Sequence, residues 1–375
     1  MKRTGNLIQR IADTDNILLA FHKAFRGKGK AAGALKFQRH LEENVSNLRS
    51  EILAGEVTVG NYEYFFIEDP KKRLICAASF RERVLHHAIM NVCHDVFERN
   101  LIETTYATRP GKGIYKAIDR AKMAMKKYRY VAKFDFRKYF DSISHRILSE
   151  KLQRLFKDKT LLRIFDTIIR SYSKSDGGGI PIGNLTSQYF ANYYLSAMDH
   201  WIKERLHVPE YLRYMDDFLV FADSRAEIDR FKKSIGEYAA KKLSLSLKPV
   251  IVSASAEGID FLGYRVCPDK ILLTQRGKKR FVRKNRLYGH LVETGVWSQK
   301  EYYEHITPLL SYVQKAYTKG LRLSVFGGND NGLEPRVARW RLEQQRKELP
   351  RCESQQQHPR QPQQQQRLPP GVPLA

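Results

Sequence analysis

Residues 211–221 read Tyr-Leu-Arg-Tyr-Met-Asp-Asp-Phe-Leu-Val-Phe, with two adjacent carboxylates between two short runs of aromatic and branched side chains. Such runs favour β-strands, so the segment predicts a hairpin with Asp216 and Asp217 at its turn. Successive strand residues point to opposite faces, so at most one of the two aspartates can aim fully at a central ion. The pattern is typical of a metal-binding hairpin, and a solvated acidic turn is the alternative.

A third carboxylate, Asp135, ends the β-prone run Val-Ala-Lys-Phe-Asp at residues 131–135. An aspartate on a strand beside an aspartate on a hairpin supplies the carboxylate oxygens that Mg²⁺ prefers. Two such ions, roughly 3.5 to 4 Å apart, can hold the attacking and leaving oxygens of a phosphoryl transfer. The sequence therefore predicts a magnesium site, and a helix cap or a surface ion pair is the alternative for Asp135.

Four motifs follow one another along the chain, namely Lys-Phe-Asp135-Phe-x-x-x-Phe, Gly183-x-x-x-Ser187, Tyr214-Met-Asp-Asp and Phe261-Leu-Gly263-Tyr264. This order resembles the palm of reverse transcriptases, which copy RNA into DNA, and the last motif is similar to their primer grip. The resemblance extends from about Asn6 to Lys319. It implies an α+β fold in the form of a right hand, with fingers, a palm of antiparallel sheet plus helices, and a helical thumb.

The resemblance also implies how the chain is divided. The fingers, with the start of the palm, are expected in residues 1–125, the palm with the catalytic motifs in 126–267 and the thumb in 268–322. The spacing of apolar residues predicts that the fingers begin with two amphipathic helices, in residues 6–26 and 35–53.

Residues 323–375 differ in composition from the rest of the chain. They are rich in Gln, Arg and Pro, and such a composition predicts disorder. The glutamine runs at residues 355–357 and 363–366 have an alternative interpretation, because CAA glutamine codons shifted by one nucleotide become AAC asparagine codons. On that hypothesis the 3′ end of the gene overlaps a template repeat, and this tail has no selected function as protein.

The resemblance implies roles for the carboxylates and their neighbours. Asp135, Asp216 and Asp217 are expected to be catalytic and to arrange two Mg²⁺ ions, for which Mn²⁺ is a substitute. The carbonyl oxygen of Phe136 is expected to be a further metal ligand. Lys248 roughly matches the lysine that protonates pyrophosphate as it leaves, and a plain surface cation is the alternative.

Four residues are expected to contact the incoming nucleotide, namely Arg73, Phe140, Ile182 and Gly183. Arg73 matches the arginine of the fingers that grips the triphosphate. Phe140, five residues after Asp135, matches the steric gate that excludes a 2′-hydroxyl group, although phenylalanine is also a good core residue. Gly183 lets the template or the nucleotide approach the backbone closely.

Ten residues are expected to contact the template and primer, namely Arg83, Arg109, Ser187, Gln188, Phe261, Gly263, Tyr264, Lys279, Arg280 and Arg283. The last three lie in a basic stretch that precedes apolar residues at helical spacing, as expected of a thumb. Such a stretch suits the backbone and minor groove of a duplex, and a nonspecific solvated basic face is the alternative. The glycine-rich turn after Arg109 lacks the P-loop pattern, so a phosphate contact is the most that we expect of this arginine.

The finer match is with reverse transcriptases of diversity-generating retroelements, in the group II intron-like lineage. Residues 180–188 read Ile-Pro-Ile-Gly-Asn-Leu-Thr-Ser-Gln where most reverse transcriptases carry Gln-Gly-x-x-x-Ser-Pro, so Ile182 and Gln188 are departures. In the wider family, the glutamine that Ile182 replaces contacts the incoming nucleotide, and an apolar side chain cannot supply that hydrogen bond. Loss of this contact weakens nucleotide selection. The resemblance thus implies error-prone copying of template adenines to diversify a target gene, unless Ile182 merely fills a hydrophobic gap.

Two other functions remain open. A group II intron-type or other bacterial reverse transcriptase has the same chemistry, but it usually keeps Gln-Gly at the position of residues 182–183 and carries a maturase region after the thumb. A non-catalytic RNA-binding scaffold is a different class of protein. The scaffold predicts no incorporation of deoxynucleotides and no effect of Asp216→Ala, whereas the enzyme predicts a loss of activity.

The composition indicates a polyanionic partner. The chain has 375 residues and a net charge of +26, and each Lys or Arg that neutralises a phosphate releases counterions and adds affinity. The expected partners are template RNA, the RNA/DNA duplex, deoxynucleoside triphosphates and, by resemblance, a basic oligomeric accessory protein. No run approaches the roughly 18 apolar residues of a spanning helix, and the N-terminus lacks the apolar core of a signal peptide. We therefore expect no membrane partner and a cytoplasmic location for a bacterial or phage-encoded protein.

Overall fold

The structure is a computed structural model that describes residues 3–68, 72–174 and 177–326. Its helices are α1 (Ile8–Ile11), α2 (Thr14–Phe25), α3 (Ala32–Arg39), α4 (Leu41–Ala54), α5 (Phe80–Glu98), α6 (Ile114–Lys127), α7 (Tyr139–Ser142), α8 (His145–Leu155), α9 (Lys159–Arg170), α10 (Leu185–Tyr194), α11 (Ser196–Glu204), α12 (Arg225–Leu243), α13 (Gln275–Glu293), α14 (Gln299–Gln314) and α15 (Lys319–Val325). A 3₁₀ helix covers Ser255–Glu257.

The strands are β1 (Tyr62–Glu68), β2 (Lys72–Ala78), β3 (Tyr130–Asp135), β4 (Glu210–Tyr214), β5 (Asp217–Ala222), β6 (Ile251–Ala254), β7 (Ile259–Phe261), β8 (Tyr264–Val266) and β9 (Ile271–Leu273). They form three separate sheets, and every strand pair in them is antiparallel. Helices and antiparallel sheets in one chain confirm the expected α+β class.

The central sheet has four strands in the order β4-β5-β3-β6. Its inner strand β3 is rich in residues with high strand propensity, and Val131, Ala132 and Phe134 are buried. Helix α12 packs against β3 and β5, and α6 packs against β4. Because helices cover this sheet, its strands hold their register firmly.

The two smaller sheets lie earlier and later in the chain. Strands β1 and β2 form a hairpin in which Tyr62 pairs with Ala78 and Glu68 with Lys72. Strands β7, β8 and β9 form a three-stranded sheet, and Leu262 and Gly263 make the turn between its first two strands. We call β7, β8 and this turn the primer-grip hairpin.

The buried core is built around α5, which packs against α2 and α10. This helix begins at a strong cap, because the Ser79 side chain accepts a hydrogen bond from the Glu82 amide. Its apolar residues recur at helical spacing and are buried, as for Leu85, Ile89 and Cys93.

Each of the two predicted N-terminal helices is divided into two. The first is divided before α2, where the Asp13 side chain accepts hydrogen bonds from the amides of Asp15 and Asn16 and so caps a new helix. The second is divided at His40, which has φ −120° and ψ 45° and therefore ends α3. Apolar spacing alone does not reveal these breaks, because both halves of each segment keep the same apolar pattern.

The chain divides into two compact units. One comprises Met1–Lys284 with Leu310–Thr318, and the other comprises Asn285–Leu309 with Lys319–Ala375. In the second unit, the rings of Trp297 and His305 stack with their centroids 4.4 Å apart. The expected boundaries of fingers, palm and thumb stay predictions. The predicted tail, 323–375, overlaps the end of α15 and otherwise lies outside the described residues.

Among the helices of the described ranges, none combines the length and the apolar character needed to cross a membrane.

Candidate active site

The three predicted catalytic aspartates lie together at one end of the central sheet. Asp135, the last residue of β3, is paired with Asp217, the first residue of β5. Cross-strand partners point to the same face of a sheet, so these two carboxylates face the same side. Asp216 lies in the turn between β4 and β5, next to Asp217. We call β4, β5 and this turn, residues 210–222, the catalytic hairpin.

A buried aromatic stack supports the site from the opposite face of the sheet. Phe134 and Phe218 are also cross-strand partners, and their rings stack in parallel planes with centroids 4.8 Å apart. Both side chains are fully buried. Because side chains alternate along a strand, this stack fixes the sheet directly beneath the aspartate pair.

Burial, together with the charges of neighbouring carboxylates, raises the pKa of Asp216 and of Asp217. Burial, and then the charge of Asp135, raises the pKa of Asp216, while Lys248 and Arg73 lower it. Burial raises the pKa of Asp217 to about 7, and Lys133 opposes that shift. Like charges that are crowded in a partly buried site disfavour ionisation. A cation placed among these three carboxylates would therefore stabilise their charged forms.

The site has oxygen atoms suited to a divalent cation. Within the described residues, Oδ1 of Asp135 and Oδ1 of Asp217 are buried and have no hydrogen-bond partner. Buried carboxylate oxygens without partners are costly, and hard oxygen donors are the ligands that Mg²⁺ prefers. The donor set therefore fits such an ion.

The assignment of Asp135, Asp216 and Asp217 as metal ligands stays a prediction. Over residues 3–68, 72–174 and 177–326, no three side chains of His, Cys, Asp or Glu form a group that can hold one ion. Lysines hold the second oxygens of two carboxylates: Nζ of Lys248 lies 2.5 Å from Oδ2 of Asp135, and Nζ of Lys133 lies 3.3 Å from Oδ2 of Asp217.

Lys248 contacts Asp135 through its backbone as well as its side chain. The Lys248 amide donates to the Asp135 carbonyl at 2.8 Å, and the Arg137 amide donates to the Ser246 carbonyl at 2.8 Å. These bonds hold residues 246–248 beside β3 and place the buried Phe136 opposite Leu247. The lysine predicted to act on pyrophosphate thus lies at the carboxylates, and its role stays a prediction.

Lys133 is a residue of the site that sequence reasoning missed. Besides its pairing with Asp217, its Nζ donates to the carbonyl oxygen of Asp260 in β7 at 2.9 Å. Lys133 therefore links Asp217, a predicted catalytic carboxylate, to the primer-grip hairpin. The alternation of side chains along a strand would have identified Lys133, because a residue two positions before Asp135 points to the same face.

Arg73, Ile182 and Gly183 lie beside the β1–β2 hairpin. Arg73 is exposed on β2, and its charge lowers the pKa of Asp216. The Ile182 carbonyl accepts a hydrogen bond from the Cys76 amide at 2.9 Å. At Gly183, φ is +123° and a Cβ atom would lie 3.1 Å from the Cys76 carbonyl oxygen, so the close approach to β2 requires glycine here.

Phe140 lies in α7, directly after the end of β3, and its ring is partly buried against the core. Its carbonyl accepts a hydrogen bond from the Ile180 amide at 2.9 Å. The backbone around the predicted steric gate is therefore joined to the segment that carries Ile182.

The primer-grip hairpin is held by a tyrosine from α14. The Tyr312 hydroxyl donates to the Gly263 carbonyl at 2.9 Å, and the Tyr264 hydroxyl donates to the Tyr312 carbonyl at 2.8 Å. A Cβ atom at Gly277 would lie 2.5 Å from the Tyr312 hydroxyl oxygen, so a larger residue there would force this ring to shift. Phe261 and Tyr264 are fully buried.

The three basic residues predicted on the thumb lie in the first half of α13. Lys279 and Arg283 are exposed, and Arg280 is half-buried. The charge of Arg280 lowers the pKa of Tyr312, although burial gives that tyrosine a net raised pKa. Arg280 therefore lies close to the tyrosine that holds the primer-grip hairpin.

The structure shows the surroundings of four residues predicted to contact the template, although it does not test those contacts. Arg83 donates through Nε to the Ala78 carbonyl at 3.1 Å, Ser187 is buried, and Gln188 is exposed on α10. Arg109 is almost fully buried and pairs with Glu98 through Nε and Nη2. Its Nη1 donates to the carbonyls of residues 102 and 105. Protein groups thus occupy the donors of Arg109, and its predicted phosphate contact stays a prediction.

The comparison with protein families gives a match over more than half of the chain. The family described as "Reverse transcriptase (RNA-dependent DNA polymerase)" matches residues 68–266. The matched segment contains Asp135, Asp216 and Asp217. The expected right-hand polymerase fold is confirmed by this match.

Several curated proteins are similar to the chain at low identity. Protein YkfC of Escherichia coli is 21% identical over 276 residues, which are 61% of this chain and 72% of that protein. The Retron Ec73 reverse transcriptase of Escherichia coli is 27% identical over 197 residues, 48% of this chain and 60% of that protein. A putative COX1/OXI3 intron 1 protein of Saccharomyces cerevisiae is 19% identical over 218 residues, and the match covers 54% of this chain and 26% of that protein.

Among solved structures, a telomerase from Candida tropicalis has a TM-score of 0.44 and 11% identity, covering 63% of this chain and 54% of that one. A telomerase from Candida albicans, in complex with a fragment of telomeric RNA, has a TM-score of 0.42 and 14% identity, covering 71% of this chain and 56% of that one. The chain thus spans just over half the length of these structures.

Proposed function

The chain belongs to the reverse transcriptase (RNA-dependent DNA polymerase) family, and from this premise we propose that it extends a DNA primer on an RNA template. The substrates are deoxynucleoside triphosphates, and the reaction forms a phosphodiester bond and releases pyrophosphate. The high positive charge of the chain, +26, supports a nucleic-acid template and duplex as its partners.

The carboxylates are the reaction centre in this proposal. Asp135, Asp216 and Asp217, together with the Phe136 carbonyl, hold divalent cations, which we take to be two Mg²⁺ ions that Mn²⁺ can replace. When bound, such cations neutralise charge on the attacking and leaving oxygens of a phosphoryl transfer. The protein's own part is to hold the carboxylates rigidly, and the buried stack of Phe134 on Phe218 supports that role.

Lys248 is the proton donor to the leaving pyrophosphate. Its ammonium group lies at Asp135, the carboxylate that ends β3, and is only partly exposed. A general acid must lie within hydrogen-bond reach of the group that it protonates, in a plausible pose of the substrate. The contact with Asp135 supports this role, because it keeps the ammonium group beside the carboxylates that hold the triphosphate's cations.

The nucleotide binds between the aspartates and the β1–β2 hairpin. Arg73 contacts the triphosphate, and its electrostatic effect on Asp216 supports that contact. Phe140, which follows Asp135 in the chain, excludes nucleotides that carry a 2′-hydroxyl group. Gly183 allows the close approach of backbone and nucleotide, and its positive φ supports this role.

The observation that carries the proposed function is the pairing of Asp135 with Asp217 across β3 and β5, each with a buried Oδ1 atom that lacks a partner among the described residues. The test is incorporation of labelled deoxynucleotides on a defined RNA template and DNA primer with Mg²⁺. We expect Asp216→Ala to lower incorporation by several orders of magnitude, because a metal ligand is lost. Asp223→Ala, at the exposed residue that directly follows β5, is the control and should retain activity.

We further propose that the enzyme serves a diversity-generating retroelement and copies a template-repeat RNA with errors at adenines. Ile182 supports this, because its side chain cannot donate or accept a hydrogen bond at the nascent base pair. The proposed partners include a basic oligomeric accessory protein. A group II intron-type enzyme, an RNA-copying enzyme without this mutagenic role, is the alternative.

Sequencing of the cDNA tests the mutagenic role. We expect errors concentrated at template adenines with the natural chain and fewer of them with Ile182→Gln, which restores a polar contact. Ile182→Leu, which changes shape without adding polarity, is the control and should keep the high error rate. Errors that are no commoner at adenines than at other bases in the natural chain would rule out the retroelement assignment.

A further inference from the structure

A buried charged network lies beneath the turn of the catalytic hairpin. Arg213 of β4 and Asp199 of α11 form an ion pair whose side chains are both 0% exposed, with Nη2 2.5 Å from Oδ2. The Arg213 Nε also donates to Asp199 Oδ1 at 2.7 Å, so the pair is bidentate. The Tyr211 hydroxyl donates to the same Asp199 oxygen at 2.6 Å.

The guanidinium group of Arg213 also donates hydrogen bonds to residues other than Asp199. Nη2 donates to the Asn192 carbonyl at 3.1 Å and Nη1 to the Asn192 side chain at 2.9 Å. Nη1 also donates to the Met215 carbonyl at 2.8 Å. One guanidinium group thus ties α10, α11 and the catalytic turn together, which the fixed fork of an arginine allows and a lysine does not.

Stability alone does not explain this arrangement. Removing two charges from water costs several kcal/mol per ion, and a well-packed apolar pair of similar volume is often as stable or more stable. Such an apolar pair cannot supply the hydrogen bonds that Arg213 donates to Asn192 and, at the catalytic turn, to Met215. The role of the network therefore lies in the backbone group that it holds in place.

The group that it fixes is the peptide leading to Asp216. Met215 has φ +58°, in the left-handed region that an L-residue other than glycine adopts only at a cost. Its carbonyl belongs to the rigid peptide plane that ends at the Asp216 nitrogen. A hydrogen bond to this carbonyl therefore sets the direction in which the next residue begins.

We propose that Arg213 is a positioning residue that locks the Met215–Asp216 peptide and so aims the Asp216 carboxylate into the active site. Asp199 and Asn192 orient the guanidinium group, and Arg213 itself contacts no substrate. This inference rests on the proposed function, since it concerns the aim of a carboxylate that holds cations.

The test compares Arg213→Lys with Tyr211→Phe. The lysine keeps a positive charge beside Asp199 but lacks the fork that reaches Met215, whereas the phenylalanine weakens the same network without touching the turn. We expect kcat of Arg213→Lys to fall by roughly 10- to 100-fold, the scale for small misplacement of a reacting group, with KM for primer–template unchanged. Tyr211→Phe should keep kcat within about twofold, although it loses a buried hydrogen bond.

A second readout does not depend on turnover. Binding of Mn²⁺ to the protein without substrate, followed by its paramagnetic resonance signal, should weaken in Arg213→Lys and stay unchanged in Tyr211→Phe. Thermal unfolding of both variants shows whether each is folded. A double variant, Arg213→Met with Asp199→Leu, removes both charges together and should remain folded while kcat falls.

The outcomes separate this inference from the proposed function. An inactive natural chain would contradict the proposed function itself. An active natural chain with Arg213→Lys equal to it in kcat and Mn²⁺ binding would overturn the positioning role. The positioning role would also be overturned if Tyr211→Phe lost as much kcat as Arg213→Lys, or if the folded double variant were fully active.

Discussion

Met215 in the catalytic hairpin and Leu262 in the primer-grip hairpin both have positive φ, 58° and 49°, although neither is glycine. Each turn is held by a hydrogen bond to one backbone carbonyl. In the catalytic hairpin, Arg213 from the same strand holds the Met215 carbonyl from within the buried core. In the primer-grip hairpin, the Gly263 carbonyl accepts a hydrogen bond from the hydroxyl of Tyr312 on α14, 49 residues away along the chain, and a longer one, 3.2 Å, from the Thr274 hydroxyl.

The difference between the two supports predicts different kinetic roles. A charged, fully buried support moves little, so the catalytic hairpin is suited to hold reacting groups in place. A neutral support from a distant helix depends on how that helix packs, so the primer-grip hairpin can respond to the bound duplex. Substitutions that weaken the support of the catalytic hairpin should lower kcat. Substitutions that weaken the support of the primer-grip hairpin should raise KM for primer–template.

The largest change in kinetic constants is the fall in kcat that we expect when Lys248 is replaced. Lys248→Met removes the ammonium group that lies at Asp135 and leaves a side chain of similar length. We expect kcat for nucleotide incorporation to fall on the order of 10²–10⁴-fold, the usual contribution of general acid–base catalysis. Lys241→Met, on the exposed face of α12, is the control and should retain activity. An unchanged kcat for Lys248→Met would make this lysine a surface cation after all.

A smaller effect is expected from Gly277→Ala. The new Cβ atom would lie 2.5 Å from the Tyr312 hydroxyl oxygen, so the ring must leave the Gly263 carbonyl. We expect KM for primer–template to rise roughly tenfold, equivalent to about 1.4 kcal/mol, with little change in kcat. Steady-state kinetics with varied duplex concentration measures both.

Gly289→Ala in the same helix is the matched control, because nothing lies within 4 Å of the Cβ atom there. Alanine in an exposed helix is favoured over glycine by roughly 1 kcal/mol, so this variant should unfold at a slightly higher temperature with KM unchanged. Equal KM values for the two variants would remove the steric role assigned to Gly277.

The smallest effect is expected from Tyr312→Phe, which deletes one hydroxyl group and keeps the ring. A single hydrogen bond contributes about 0.5–1.5 kcal/mol, so KM for primer–template should rise only a few-fold. Tyr317→Phe, with a side chain 80% exposed, should have no effect. A drop in kcat with KM unchanged would contradict the proposed separation between the two hairpins.

The parts predicted well from the sequence are local. The two short runs of aromatic and branched residues around Asp216 and Asp217 predicted the catalytic hairpin, and the strand ending at Asp135 was also correct. Turn position and side-chain direction follow from a few neighbouring residues, so a short segment contains the needed information. The motif order then supplied the fold class, which the family match confirms.

The parts that the sequence did not reveal depend on contacts between separate elements. Arg109 was expected at a phosphate, but the loop after α5 brings it back to Glu98, the last residue of that helix. Arg213 and Tyr312 are common residue types whose roles depend on partners in other elements. Lys133 is the exception, since strand alternation alone places it on the face of Asp135.

The central claim is that Asp135 and the catalytic hairpin form one reaction centre. The most direct measurement is kcat for Asp135→Asn, Asp216→Asn and the double variant on the same RNA template. Groups that act as a unit are strongly non-additive, so each single variant should lose on the order of a thousandfold and the double variant no more than the worse single. Effects that multiply in the double variant, or a single variant with kcat unchanged, would contradict the account.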